Sequence, residues 1–203
     1  AYGARKFDKM NKYAGNSITL AFVIGMVIMI VAHFLSRPLL KAIDTPDDII
    51  DMSAQYIDVL YYAVPIQMSL NNFNALSRAV GDSKRPLYFL IVSVIVNLLL
   101  DILFVGAFKW GVIGAAWATA ISELVAAVLS AISVLKHTEE YNIDKTALKI
   151  DGKVSWAQIK IGIPISLQFS ITSIGSMVLQ TAVNGFGSSV IAGFTAAGRV
   201  EQL

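Results

Sequence analysis

The chain has 203 residues with a formal net charge of +2; 56% are apolar, 15% are charged, and mean hydropathy is +0.65. Soluble domains carry about 25% charged residues, so this composition excludes an ordinary soluble domain and describes an integral membrane chain, and the small, dispersed net charge gives nucleic acid nothing to bind. With no cysteine and two histidines far apart in sequence, a disulfide framework, thiolate chemistry and a paired-histidine metal site are excluded too.

The chain opens on Ala1 and stops soon after a new apolar run has begun, so it reads as an internal piece of a longer protein. Arg5, Lys6, Lys9 and Lys12 precede the first apolar run, which carries no Asp, Glu, Lys or Arg before Arg37. At about 1.5 Å per residue this run can cross a hydrocarbon slab of ~30 Å, and the first span is predicted over 17–35. His33, near its end, reads as an interfacial, solvated histidine. Asp44-Thr45-Pro46-Asp47-Asp48 then starts a helix, with Thr45 at the N-cap, Pro46 at the first helical position and the acids facing the positive end of the macrodipole. This second helix is predicted to run to about Ser77 and to bend at Pro65. Gln67, Asn71, Asn74 and Arg78 recur at spacings of four, three and four, an amide-rich stripe on one face. Such a stripe either hydrogen-bonds neighbouring helices or lines an aqueous cavity.

Gly81 ends the helix, Asp82 and Ser83 are candidate caps and Pro86 opens the next one. Between 87 and 108 the single formal charge is Asp101, with Asn97 four residues before it and Ser93 four before that, all on one helical face. A carboxylate in the middle of a membrane helix costs about 2.5–3.5 kcal/mol on insertion, so its presence points to an ion, a proton or a partner helix. After a turn over 106–111, small residues Gly111, Gly114, Ala115 and Ala118 open a fourth span suited to close packing, which carries Thr119 and Glu123 and ends near Leu135. The stretch 136–160, with five lysines and four acids, reads as a linker outside the membrane, with Trp156 as an interfacial anchor. From 161 to 198 there is no charge; Asn184-Gly185-Phe186-Gly187 should end one helix and a second should begin near Val190. Ser166, Ser170, Ser173, Met177, Gln180 and Asn184 form another polar stripe at helical period, and Gln168 is counted with it as cavity-lining.

Lys and Arg number four, three and five in the first, third and fifth polar segments against two and one in the second and fourth. That asymmetry makes the first end, the 78–85 turn and 136–160 cytoplasmic. On this frame Asp101 lies about 21 Å up from the inner face and Thr119 about 12 Å down from the outer one, nearly one level. Asn97, Asp101 and Thr119 would then offer an amide oxygen, a carboxylate and a hydroxyl to one small hard cation such as Na⁺, and Asp101 would equally serve as a proton site. The competing reading is that Asp101 hydrogen-bonds a neighbouring helix. Glu123 reads as an additional protonation site or as a packing residue. An intramembrane hydrolase is not favoured, because Asp101 and Glu123 stand about 9 Å apart in depth and make a poor catalytic pair.

Several stretches in order resemble the multidrug and toxic compound extrusion (MATE) transporters: Ala1-Tyr2-Gly3-Ala4, Arg78-Ala79-Val80-Gly81-Asp82-Ser83-Lys84-Arg85-Pro86, Asn97 with Asp101, Gly111-Val112-Ile113-Gly114-Ala115-Ala116 running to Thr119 and Ser122, and Gly162-Ile163-Pro164. The resemblance implies an all-α, polytopic membrane bundle in which 1–135 is part of a first lobe with four transmembrane helices, 136–160 a cytoplasmic inter-lobe linker and 161–203 the start of a second lobe. It covers the third to seventh helices and the start of the eighth of a twelve-helix protein, and it implies a first-lobe cation site that includes residues matching Asn97, Asp101 and Thr119. Two departures stand out: no acid follows Pro164, where other members place one, and Glu123 stands where the family usually has Gln.

The implied function is a Na⁺- or H⁺-coupled antiporter, not an enzyme, that exports drugs or organic cations by alternating access from the plasma membrane. No cofactor beyond the coupling ion is expected, the partners are a small organic substrate and the bilayer, and the full-length protein is expected to be a monomer. A lipid-linked saccharide flippase of the same superfamily is the nearest alternative and would need a strongly basic cavity; a purely structural membrane subunit would leave Asp101 replaceable.

Overall fold

The computed structural model describes residues 7–42, 47–136 and 147–184. Among them every regular element is helical: α1 (Phe7–Ala42), α2 (Asp47–Ala79), α3 (Lys84–Asp101), a π-helical turn (Ile102–Ala107), α4 (Gly111–Lys136) and α5 (Gly152–Asn184). The chain divides into two compact units, Ala1–Ser155 and Trp156–Leu203, with the boundary inside the first turn of α5. The sequence-predicted helix start at Thr45 and Pro46 and the break at 184–187 with its second helix lie outside the described residues, apart from Asn184, the last residue of α5.

In the first unit α2 packs against α1 and α4, and α3 packs against α4. Three described helices are long and apolar enough to cross a membrane: Phe7–Lys41, Lys84–Ala107 and Gly111–Lys136. The sequence reading expects a fourth span in α2, which is as long as a span but too polar to meet that criterion. The difference has a physical basis, since an inner helix with neighbours on both sides can direct amides and hydroxyls at them rather than at lipid. Its neighbour α3 does the opposite, exposing Leu87, Leu98 and Leu99, as a lipid-facing helix should.

Close approach between α1 and α2 depends on Gly25, where an added Cβ would meet Pro65 Cα at 2.7 Å. Helix α2 continues through Pro65, whose carbonyl accepts a hydrogen bond from Ser69 Oγ at 2.7 Å. At one end of this hairpin Met10, Ala14, Phe73 and Val134 form a small core. At the other, Arg37 meets Asp51 at 3.0 Å and His33 Nδ1 lies 3.2 Å from Asp58 Oδ1. His33 is exposed, as the solvated reading expects, and lies beside Asp58 across the hairpin.

Helix α2 ends as the glycine predicts. Gly81 takes φ +91°, and the amides of Gly81 and Asp82 reach back to the carbonyls of Arg78 and Ser77 at 3.0 Å each. Of the two candidate caps, Asp82 starts α3, its Oδ1 accepting from the amides of Lys84 and Arg85 at 3.1 Å; Ser83 makes no side-chain cap.

The stretch 136–160 contains more structure than a bare linker. Asp151 Oδ1 accepts from the amides of Lys153 and Val154 at 2.9 and 3.2 Å and so starts α5 at Gly152. Its other oxygen lies 2.7 Å from Lys12 Nζ. Thr19 donates to the Leu148 carbonyl at 2.6 Å, and Ser155 donates to the buried Asn16 at 3.1 Å. Residues 147–155 are thus docked on the beginning of α1, which puts both on the same side of the bundle.

Candidate functional site

The site is assembled where α2, α3 and α4 converge. Ser93 Oγ donates to the Ser122 carbonyl at 3.0 Å, and Asn97 Nδ2 reaches Thr119 Oγ1 at 3.5 Å, so the antiparallel α3 and α4 are held in register by two polar contacts one turn apart. Thr119 donates its own proton to the Ala115 carbonyl at 3.1 Å. A hydroxyl committed in that way turns its lone pairs outward, where Asn97 or a cation can use them. From α2, Gln67 Nε2 donates to Glu123 Oε1 at 3.2 Å, and Asn74 Oδ1 accepts from Ser130 Oγ at 3.2 Å.

These contacts border a cavity of about 300 Å³. Gln67, Asn71, Asn74, Ser93, Asn97, Thr119, Ser122 and Glu123 provide its polar wall, and Leu70, Pro86, Phe89, Leu90, Val94 and Ala126 the apolar one. Helical spacing marks the α2 stripe and the α3 face in the sequence; Gln67, Asn71 and Asn74 of the first and Ser93 and Asn97 of the second reach the cavity, whereas Arg78 and Asp101 are not among its lining residues. The apolar half carries no such signal, because nothing distinguishes Phe89 or Val94 from the lipid-facing residues of the same helix until α4 is set beside it.

Asp101 takes a separate place. It closes α3, one turn beyond Asn97, and is not among the cavity-lining residues. The contact to Thr119 is made by Asn97, where the depth estimate brought Asp101 to that level. Asp101 Oδ1 is buried and has no hydrogen-bond partner among the described residues. Immediately after it the backbone switches to the π turn, whose end is packed by Phe104 on Trp110 at 5.0 Å between centroids. Such π insertions occur mostly as single turns within α-helices, often at functional sites. The sequence reading, which runs an ordinary helix up to a turn over 106–111, does not detect it.

Among the second group of cavity candidates, Gln168 and Ser173 lie on α5 in the second unit, where the Gln168 carbonyl accepts from Thr172 at 3.0 Å. The side chains of Met177 and Gln180 lie outside the described residues.

The chain is 30% identical over 209 residues to a protein named probable multidrug resistance protein YoeA of Bacillus subtilis (strain 168), an alignment covering 100% of this chain and 45% of that protein. It is 24% identical over 200 residues to the multidrug export protein MepA of Staphylococcus aureus (strain bovine RF122 / ET3-1), covering 98% of this chain and 44% of that one. Among solved structures, a MATE in complex with MaD3S superposes with a TM-score of 0.87 at 25% identity, covering 98% of this chain and 45% of the other. The chain therefore spans less than half the length of these relatives. The family model MatE matches residues 1–103, half of the chain. With its all-helical fold and its apolar spans, the chain belongs to the MatE family of multi-pass membrane transporters.

Proposed function

We propose that the full-length protein is an antiporter that exports drugs or organic cations from the cell by alternating access, coupled to Na⁺ or H⁺. The observation that supports it most is the buried Asp101 oxygen without a described partner, in a helix that carries no other charge beyond Arg85 and one turn from the Asn97 and Thr119 pair. A carboxylate so placed is costly unless an ion or a proton meets it, and intramembrane acids mark ion pathways by default. Binding there biases an equilibrium between lobe geometries only by the difference in affinity for the two. In this reading Asp101 carries the charge that is neutralised, Asn97 and Thr119 add neutral oxygens, 136–160 joins the lobes on the cytoplasmic side and 161–203 opens the second lobe. The multidrug names of the relatives agree with export of small organic compounds. A saccharide-pyrophosphate flippase is less well supported, since among the described residues the cavity wall has a carboxylate and no lysine or arginine.

The test is export in inverted vesicles holding the full-length protein under imposed Na⁺ or pH gradients. Asp101→Asn should abolish gradient-driven export at equal protein level, because shape is kept while the charge is lost. Asn97→Ala and Thr119→Ala should weaken it less, raising the Na⁺ needed for half-maximal export if Na⁺ couples and moving the pH optimum if H⁺ does. Full activity of Asp101→Asn under either gradient would return Asp101 to helix packing.

A further inference from the structure

Among the described residues lining the cavity between α2, α3 and α4, Glu123 is the one that carries a formal charge. Its described hydrogen-bond partner is the Gln67 amide, 3.2 Å away, which holds one carboxylate oxygen without offsetting the charge. The side chain is half-buried. Beside it the wall is apolar, with Leu70, Phe89, Leu90 and Val94. A carboxylate withdrawn from bulk water and left without a cation is poorly stabilised, and a ligand that brings a positive charge repairs this. Apolar surface on the same ligand would fill the remaining wall, and a volume of about 300 Å³ is at the small end for such sites.

The geometry points to Glu123 as the charge selector of this cavity: it receives the cationic centre of a small aromatic monocation, while Gln67 orients the carboxylate. This assignment rests on the export reading only in taking the cavity as a seat for substrate. It gives Glu123 a role separate from that of Asp101, which does not line the cavity. The competing account is that the pair with Gln67 merely ties α2 to α4.

Binding to the purified full-length protein, with no gradient present, separates the two. The probes are ethidium, a permanent monocation, and phenylphenanthridine, the corresponding ring system, uncharged at neutral pH. An ion pair in a half-buried site is strong enough that Glu123→Gln should weaken ethidium binding about tenfold or more, with phenylphenanthridine changed by no more than about twofold. Gln67→Lys, which offsets the charge in place and leaves Glu123 untouched, should give the same pattern and decides the matter if Glu123→Gln does not fold. The exchanged pair Gln67→Glu with Glu123→Gln returns a carboxylate to the same contact and should restore ethidium binding to within about threefold, as charge rather than position sets the preference. Equal loss of both probes, undiminished ethidium binding in the neutralised variants, or no rescue by the exchanged pair would each overturn the assignment, as would a wild-type protein that binds neither probe. Selective ethidium binding in a protein that exports under neither gradient would overturn the export reading and leave this assignment standing.

Discussion

Individual residues settle where helices start and stop. Gly81 takes φ +91°, and an added Cβ there would meet nothing within 4 Å, so the cost of a substitution is conformational rather than steric. Gly81→Ala should therefore lower the stability of the full-length protein by about 1–2 kcal/mol, the usual penalty for an L-residue in the left-handed region. Gly106→Ala makes a control, since that position is equally open and has no positive φ. Thermal unfolding of the purified variants should show a lowered midpoint for Gly81→Ala and little change for Gly106→Ala. Asp82 could be narrowed to a cap candidate from sequence, because N-capping depends on side-chain chemistry within three residues. Choosing it over Ser83 took the backbone geometry of the turn.

At the scale of elements, the start of α5 is tied to the start of α1 through Asp151. The Lys12 ammonium, followed by the backbone amide of Val154, holds the Asp151 carboxyl below its ordinary value of 3.8. A depressed folded-state value means that the contribution to docking is fully present above the unfolded-state value and is lost only as pH falls through the lower, folded one. Hydrogen exchange at the amides of Val154 and Ser155, corrected for intrinsic rate, should thus show the same protection at pH 5 and pH 8, above the ordinary carboxylate range. Asp151→Asn should reduce that protection at both, since the amide replaces a charged cap and breaks the pair with Lys12. A pH-dependent loss of protection in this range in the wild type would mean that another group governs the docking. Helix α2 makes a different point at this scale. Its polar residues look unfavourable for a span until α1 and α4 are placed on either side, after which Gln67 and Asn74 have partners in α4 and Asn72 one in α1.

At the largest scale, α1 to α4 alternate in direction within the first unit, and the docking of 147–155 on the beginning of α1 places those two segments on one side. The Lys and Arg asymmetry predicts that this side is cytoplasmic. A cysteine at the exposed Lys149 should react with an impermeant maleimide only after cells are permeabilised, whereas one at the exposed Lys41, at the opposite end of α1, should react in intact cells. The reverse pattern would invert the orientation.

What the sequence determined by itself is local in origin. Charge-free runs longer than a bilayer is thick mark spans whatever their neighbours, a glycine followed by Asp82 and Pro86 marks a turn, and spacings of three and four place Gln67 with Asn71 and Asn74, or Asn97 with Asp101, on one face. Such periodicity says which face is polar but not what it meets. The tertiary structure decided the partners: Asn97 with Thr119, Gln67 with Glu123 across 56 residues, His33 with Asp58, and residues 147–155 with α1. It also decided that the helix carrying Asp101 gives way there to a π turn. Each of these depends on how two helices slide and rotate against one another, and that register is set by the summed packing of whole faces, of which a linear pattern records only one side at a time.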